Sequence, residues 1–132
     1  MRILISNDDG YKAEGIKQLA KYLSNIAEII IIAPTYNRSA CSSSLTVREA
    51  IQPIKIAKNF YKMDATPADC VHLGVCGFIK EPIDLVVAGI NSGANLGDDV
   101  IYSGTIAAAI EGRFLNTPSV SISVTDFNCD NF

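Results

Sequence analysis

Uninterrupted apolar runs alternate with amphipathic segments along the chain. Two of these runs, 2–6 and 29–33, carry consecutive leucines and isoleucines and show no in-and-out alternation. A strand with that pattern is buried on both faces, which is typical of parallel sheets. The run 84–88 has the same character, and the alternating segment 119–124 closes the series. The pattern therefore predicts four strands of a mainly parallel sheet.

Between these strands, apolar residues recur with helical spacing. The first helical set occupies positions i, i+3, i+4 and i+7 and comprises Ile16, Leu19, Ala20 and Leu23. Thr66 and Pro67 provide a cap and a first turn for a second helix. Its apolar set is Cys70, Val71, Val75 and Phe78. A third helix runs from about Thr105 to Leu115. Strands and helices in alternation predict an α/β fold.

The remaining segments are loops or have a weaker pattern. Residues 35–44 contain six Ser, Thr or Asn residues, and 89–104 is rich in glycine and asparagine, so both are predicted to be loops. The stretches 45–47, 54–56 and 60–63 are predicted to be short strands around turns. This part of the chain gives the least regular pattern.

Composition narrows the class of protein. A chain of 132 residues suits one domain, 1–132, and 48% hydrophobic residues supply a core, which excludes intrinsic disorder. A net charge of −3 provides no global basic footprint, so no nucleic acid polymer is expected as a partner. The longest uncharged run, 85–97, is shorter than the ~20 apolar residues of a membrane span, so no membrane partner is expected either.

The cysteines argue against a zinc site. They form no CxxC pair, and His72 is the only histidine of the chain. The four residues are Cys41, Cys70, Cys76 and Cys129. Free thiols are typical of a reducing compartment, and we therefore expect a cytoplasmic protein.

Polar side chains follow three of the predicted strands. Asn7, Asp8 and Asp9 come directly after the first strand. The segment Asn37-Arg38-Ser39 follows the second strand, and Asn91 and Asn95 follow the run 84–88. In open α/β sheets, ligands bind in the crevice beyond the carboxyl ends of the strands. We therefore expect all three loops to open on the same rim.

The adjacent carboxylates Asp8 and Asp9 suggest a cation site. Two like charges this close disfavour joint ionisation unless a cation neutralises them. A cation held by Asp, Ser and Asn oxygens should be a hard ion such as Mg²⁺ or Mn²⁺. Taken alone, the sequence Asn-Asp-Asp-Gly equally fits an ordinary turn in which Asp caps a helix.

A second candidate site lies at the start of the third helix. Ser103, Gly104 and Thr105 stand where backbone N–H groups lack helical partners, which favours an anion such as phosphate. The plainer interpretation is a Ser/Thr cap next to a flexible loop. A metal and an anion site in one crevice predict phosphoryl chemistry. Neither a Walker motif nor a dinucleotide fingerprint is present in the sequence.

Several sequence blocks, spread over nearly the whole chain, resemble the SurE family of survival proteins, which are 5′/3′-nucleotidases. The N-terminal blocks are Asn7-Asp8-Asp9-Gly10, Ala33-Pro34, Asn37-Arg38-Ser39 and Thr66-Pro67-Ala68-Asp69-Cys70-Val71. The C-terminal blocks are Gly89 to Asn95, Tyr102-Ser103-Gly104-Thr105, Ala107-Ala108-Ala109, Glu111-Gly112 and Pro118-Ser119. Their order and spacing make the set specific.

The resemblance implies a Rossmann-like three-layer α/β sandwich and a divalent-metal-dependent phosphatase. Family members hydrolyse nucleoside monophosphates with broad specificity, and some act on short polyphosphate. The metal-ligand positions of the family correspond to Asp8, Asp9, Ser39 and Asn91, which would hold one Mg²⁺ or Mn²⁺ per subunit. The substrate-binding positions correspond to Asn95, Ser103, Gly104 and Thr105. As catalytic residues, Asp8 or Asp9 would orient or deprotonate the attacking water.

The chain departs from the family pattern at two points. Ala40 stands where the family usually has glycine, which matters only if the backbone φ is positive there. The chain also ends at Phe132, whereas family members continue considerably further. We therefore expect a C-terminally truncated core. The resemblance implies a homodimer or tetramer, but subunits of the family contact one another through the region that follows, so this expectation is weaker for the truncated core.

Two alternatives stay open at this point. A phospho-receiver signalling domain would share the acidic pair after the first strand, and Asp64 would be its phospho-acceptor. Such domains also need a lysine after the fifth strand, where this chain has Thr125 and Asp126. The second alternative is an inactive, truncated remnant of the enzyme.

Overall fold

A computed structural model describes residues 1–126, and a six-stranded sheet forms the centre of this part. The strands are β1 (Arg2–Ser6), β2 (Glu28–Pro34), β3 (Ile54–Ala57), β4 (Phe60–Met63), β5 (Leu85–Ser92) and β6 (Ser119–Val124). The helices are α1 (Glu14–Leu23), α2 (Pro67–Leu73) and α3 (Gly104–Phe114). A π-helical turn, Gly74–Phe78, follows α2, and a 3₁₀ turn, Gly97–Ile101, precedes α3. Cys129 lies outside the described residues.

The strand order places a crevice at the centre of the sheet. The order is β3-β4-β2-β1-β5-β6, and every neighbouring pair is parallel except β3 and β4. Counted in chain order, the five parallel strands run 3-2-1-4-5, as in dinucleotide-binding folds, whereas receiver domains have the order 2-1-3-4-5. The order reverses between β1 and β5, which is where such folds bind ligands.

Alternate residues of β1 pack on opposite faces of the sheet. Leu4 belongs to a core that contains Val71 of α2 and Ala108 of α3. Ile3 and Ile5 belong to a second core that contains Ile16 of α1. Helices thus cover both faces, and the expectation of a three-layer α/β sandwich with a mainly parallel sheet is confirmed. The consecutive aliphatic residues of β1 and β2 are explained by this burial on two sides.

The helices begin as their sequences predict. The Thr66 side chain accepts a hydrogen bond from the backbone of Asp69, and Pro67 occupies the first turn of α2. Ser103 caps α3 by accepting the N–H of Ile106. The helices contain 10, 7 and 11 residues. None of those in residues 1–126 is long and apolar enough to cross a membrane.

Two of the predicted elements differ in the structure. Residues 45–47 form no strand, because the Thr46 N–H is bonded to the Asp69 side chain instead of a neighbouring strand. The strand predicted at 84–88 extends to Ser92, so the first residues of the predicted loop 89–104 belong to β5. This extension places Asn91 inside a strand of the sheet.

Candidate active site

A cavity of about 300 Å³ lies at the carboxyl ends of β1 and β5, where the strand order reverses. Five of the predicted site residues line it: Asp8, Ser39, Asn91, Asn95 and Ser103. The structure thus brings together residues from three separate predicted loops. The other three predicted residues, Asp9, Gly104 and Thr105, adjoin these five.

The turn after β1 is closed by hydrogen bonds of Asn7 and Gly10 and does not involve the carboxylates of Asp8 and Asp9. Asn7 closes the turn, since its side chain donates to the Gly10 carbonyl at 3.0 Å and accepts the Gly10 N–H at 3.2 Å. Gly10 has φ +98°, a conformation that favours glycine. The N-cap of α1 is Ala13, with no side-chain cap. The turn therefore accounts for Asn7 and Gly10, but neither aspartate serves as a helix cap.

Asp8 is buried and tied to α3. The Thr105 hydroxyl donates to Asp8 Oδ1 at 2.5 Å, and the Thr105 side chain is itself fully buried. The Asp8 carbonyl accepts the Arg38 N–H at 2.7 Å. A Cβ atom on Gly104 would lie only 2.8 Å from the Cβ of Asp8. The Thr105 hydroxyl therefore orients the Asp8 carboxylate. Because Gly104 has no side chain, α3 can pack closely against Asp8.

Asp9 is half-buried, and its surroundings disfavour its charged form. Burial raises the pKa of Asp9 above its ordinary value, and the neighbouring Asp8 carboxylate raises it further. The Ser92 N–H donates to Asp9 Oδ2 at 3.3 Å and lowers the pKa in part. A bound cation would relieve both the burial and the repulsion between the two carboxylates.

The loop after β2 presents Ser39 to the cavity. The Ser39 N–H donates to Asn37 Oδ1 at 2.8 Å, and Arg38 forms an ion pair with Asp64 at 2.6 Å. Ala40 has φ +59°, the left-handed conformation that glycine adopts most readily. The family's glycine at this position thus has a physical reason, and Ala40 places strain beside Ser39.

β5 contributes two amide side chains. The pairing of β5 with β6 shifts register between Ala88 and Asn91, and such a bulge re-aims the side chains that follow it. The side-chain amide N–H of Asn91 donates to the Gly93 carbonyl at 2.8 Å, which leaves the amide oxygen as the atom suited to a cation. Asn95 donates to Ser123 Oγ at 2.6 Å.

The sequence interpretation missed Asp99 and Tyr102, which also line the cavity. The acidic pair Asp98-Asp99 was the available signal for the first. Tyr102 lay within a block that resembles the family but had no role assigned. Tyr102 is 59% exposed as a residue, and its carbonyl accepts the Ser42 N–H at 3.1 Å. An exposed aromatic residue with an anchored backbone thus lines the cavity.

Two other features of residues 1–126 differ from this cavity. A larger cavity, about 440 Å³, is mostly apolar and has Arg113 of α3 as its one charged lining residue. Asp64, the acceptor that a receiver domain would use, lies outside the Asp8 cavity and pairs with Arg38. Within residues 1–126, no three His, Cys, Asp or Glu side chains cluster as a metal site. Besides the Asp8 carboxylate, the cavity offers a cation the hydroxyl oxygen of Ser39 and the amide oxygen of Asn91.

Comparison with known proteins identifies the family. The model of the family described as survival protein SurE matches residues 3–132. A protein of Ruthia magnifica subsp. Calyptogena magnifica named 5′-nucleotidase SurE is 64% identical over 132 residues, which are all of this chain and 53% of that protein. Its namesake in Histophilus somni (strain 2336) is 58% identical over 124 residues, or 94% of this chain and 50% of that one.

A solved structure agrees with these relatives. The crystal structure of the SurE protein from Aquifex aeolicus superimposes with a TM-score of 0.93 at 42% identity, over 98% of this chain and 54% of that one. This chain therefore spans about half the length of the curated relatives that it matches. The family match covers nearly every residue from the first strand onward, and the chain belongs to the SurE family.

Proposed function

We propose that this chain carries the metal- and phosphate-binding site of a nucleotidase that hydrolyses nucleoside monophosphates. The observation that carries the proposal is the cavity in which Asp8, Ser39 and Asn91 meet the start of α3 at Ser103. The name 5′-nucleotidase, which the curated relatives bear, supports the same reaction. The 3′-nucleotidase and polyphosphatase activities implied by the family resemblance belong to the same proposal.

The donor set fits a hard divalent cation. Asp8, Asp9, Ser39 and Asn91 supply carboxylate, hydroxyl and amide oxygens, and Mg²⁺ or Mn²⁺ prefers such oxygen ligands. Mg²⁺ usually takes only one or two protein carboxylates and keeps several waters. A set of two aspartate carboxylates and two neutral oxygens agrees with this mode of Mg²⁺ coordination. A bound ion would supply Lewis-acid polarisation of the phosphate and activation of a water nucleophile.

The residues of the chain have separate tasks in the proposed reaction. Thr105 fixes the orientation of Asp8 through its 2.5 Å hydrogen bond. Either Asp8 or Asp9 orients or deprotonates the attacking water. The free N–H groups at the start of α3 and the amide of Asn95 receive the charge of the phosphate.

An exposed aromatic ring supports a nucleoside as the group attached to the phosphate. Tyr102 immediately precedes Ser103, so its ring lies next to the start of α3. Base–aromatic stacking contributes about 1–3 kcal/mol per base and tolerates every base, because each base has a π-face. A single stacking ring therefore agrees with broad specificity for nucleoside monophosphates.

The test is release of phosphate from a panel of nucleoside monophosphates with Mg²⁺, Mn²⁺ or EDTA. We expect release with either metal, none with EDTA, and strong loss in Asp9→Asn. Asp84→Asn is the matched control, because Asp84 bonds the Arg2 N–H at 2.6 Å at the opposite end of the sheet. Full metal-dependent turnover by Asp9→Asn would contradict the assignment. Release that EDTA leaves unchanged would contradict metal dependence.

A further inference from the structure

The block Thr66–Val71, which carries part of the family resemblance, supplies no residue to the proposed site. Its Asp69 is buried, with 4% of the residue exposed. The carboxyl oxygen Oδ1 accepts the Thr46 N–H at 2.9 Å. The other oxygen, Oδ2, accepts the Thr46 hydroxyl at 2.7 Å and the Thr66 N–H at 2.9 Å. Asp69 thus holds a residue that lies 23 positions earlier in the chain.

A second bond fixes the same stretch of loop to α2. The Thr66 hydroxyl accepts the Asp69 N–H at 3.1 Å and lies 2.7 Å from the Ser44 carbonyl. A hydroxyl has a single proton, and its shortest contact is the one to Ser44. Thr66 therefore donates to Ser44, and the segment 44–46 is attached to the start of α2 at two points.

The hydrogen bonds continue from this attachment toward the cavity. The Ser44 hydroxyl donates to the Cys41 carbonyl at 2.8 Å, and the Cys41 N–H donates to the Arg38 carbonyl at 3.2 Å. The Arg38 N–H donates in turn to the Asp8 carbonyl at 2.7 Å. Ser39 lies inside this series, between Arg38 and Cys41. The series therefore connects the start of α2 to the turn that carries Asp8.

We propose that Asp69 is a positioning residue that fixes the loop 37–46 over Asp8, so that Ser39 is held ready as an oxygen ligand. The metal part of this inference rests on the proposed function. No helix or strand occurs between β2 and β3, so hydrogen bonds such as those from Thr46 to Asp69 contribute to the order of this loop. Groups that orient a metal ligand typically change metal affinity by about 10–100-fold when they are removed.

A purely structural role for Asp69 makes a different prediction. As the capping-box partner of Thr66, Asp69 also stabilises α2, which packs in the core. Loss of the cap alone would lower global stability without acting on Ser39 in particular. Thr46→Val separates the two roles, because it removes one loop donor to Asp69 and leaves the bonds between Asp69 and Thr66 intact.

Amide hydrogen exchange of the metal-free protein tests the loop directly. In Asp69→Asn and Thr46→Val, we expect the amides of 38–44 to exchange about 10-fold faster, while those of β1 and α3 stay unchanged. Asp84→Asn, the same chemical change at the far end of the sheet, should leave the exchange of 38–44 unchanged. Unchanged exchange in the loop, or a uniform increase over the whole chain, would overturn the proposal.

Calorimetric Mn²⁺ binding tests the connection to Ser39. We expect Asp69→Asn to weaken binding about 10–100-fold in the wild-type background and less than about 2-fold in Ser39→Ala. Equal weakening in both backgrounds, or none in either, would overturn the connection. If the wild-type chain binds no Mn²⁺, the proposed function fails, whereas the exchange experiment still decides whether Asp69 positions the loop.

Discussion

Replacing Gly104 by alanine should destabilise the protein because it drives α3 against the turn that carries Asp8. The added Cβ would meet Asp8 Cβ at 2.8 Å, Asp8 Oδ2 at 3.0 Å and Cys41 Sγ at 3.0 Å. Carbon atoms prefer separations of about 3.5–4.0 Å, so the closest contact overlaps by about 1 Å. The Asp8 Cβ is bonded to the backbone and cannot rotate away.

The expected net effect of Gly104→Ala is a moderate loss of stability. Overpacking of a filled interior costs about 1–3 kcal/mol. Alanine in a helix recovers about 0.5–1 kcal/mol relative to glycine. The free energy of unfolding should therefore fall by about 1.5 kcal/mol, and with an m value of about 1.5 kcal/mol/M the urea midpoint should fall by about 1 M.

Urea denaturation followed by circular dichroism measures this change, and a second variant identifies its source. The double variant Gly104→Ala with Cys41→Ala removes the sulfur contact but keeps the contact with Asp8. Because the Asp8 contact is the tighter one, the Cys41→Ala change should recover little stability in the Gly104→Ala background. A Gly104→Ala midpoint equal to or above the wild-type value would refute the reasoning.

Three further predictions concern other residues of the chain. Ala40→Gly should raise the free energy of unfolding by about 0.5–1 kcal/mol in urea titrations, because relief of a left-handed alanine outweighs the added freedom of the unfolded chain. A loss of stability would show that this φ is not strained. Thr105→Val should lower the same free energy by about 2 kcal/mol, because Asp8 loses a buried hydrogen-bond donor. A change below about 0.5 kcal/mol would show that this bond contributes little to stability. In the native protein at about pH 8, iodoacetamide should label the exposed Cys76 and spare Cys70, because burial raises the pKa of the Cys70 thiol far above its usual range. Peptide mass spectrometry measures the labelling, and equal labelling of the two thiols would be the contrary result.

The agreement between sequence and fold has a local physical cause. The bounds of β1 were predicted to the residue, and α1 contains the whole predicted apolar set. Both elements are defined by apolar spacing over a few neighbouring residues. The prediction of a strand at 45–47 was wrong, because the Thr46 N–H donates to the Asp69 carboxylate instead of a neighbouring strand. A contact between residues 23 positions apart produces no periodic pattern in the sequence.

In the candidate site, too, the sequence reveals local chemistry but not the contacts that depend on packing. Residue types identified the oxygen donors Asp8, Ser39 and Asn91, because their chemistry is visible in the sequence. Roles that depend on packing were not visible. That Thr105 contacts phosphate stays a prediction, but its hydroxyl also donates to Asp8, a residue 97 positions away. Asp99 enters the cavity only through the 3₁₀ turn before α3, which the pattern had predicted to be loop.

The sequence by itself determined which segments become buried strands and which oxygen-bearing residues follow them. Hydrophobic periodicity and strand-end chemistry act over a few residues, so they can be read directly from the chain. Only the tertiary structure decided that β1 and β5 are neighbours, that α3 closes on Asp8, and that Asp69 anchors the loop of Ser39. These contacts depend on how the helices cover both faces of the sheet, which is a property of the whole fold.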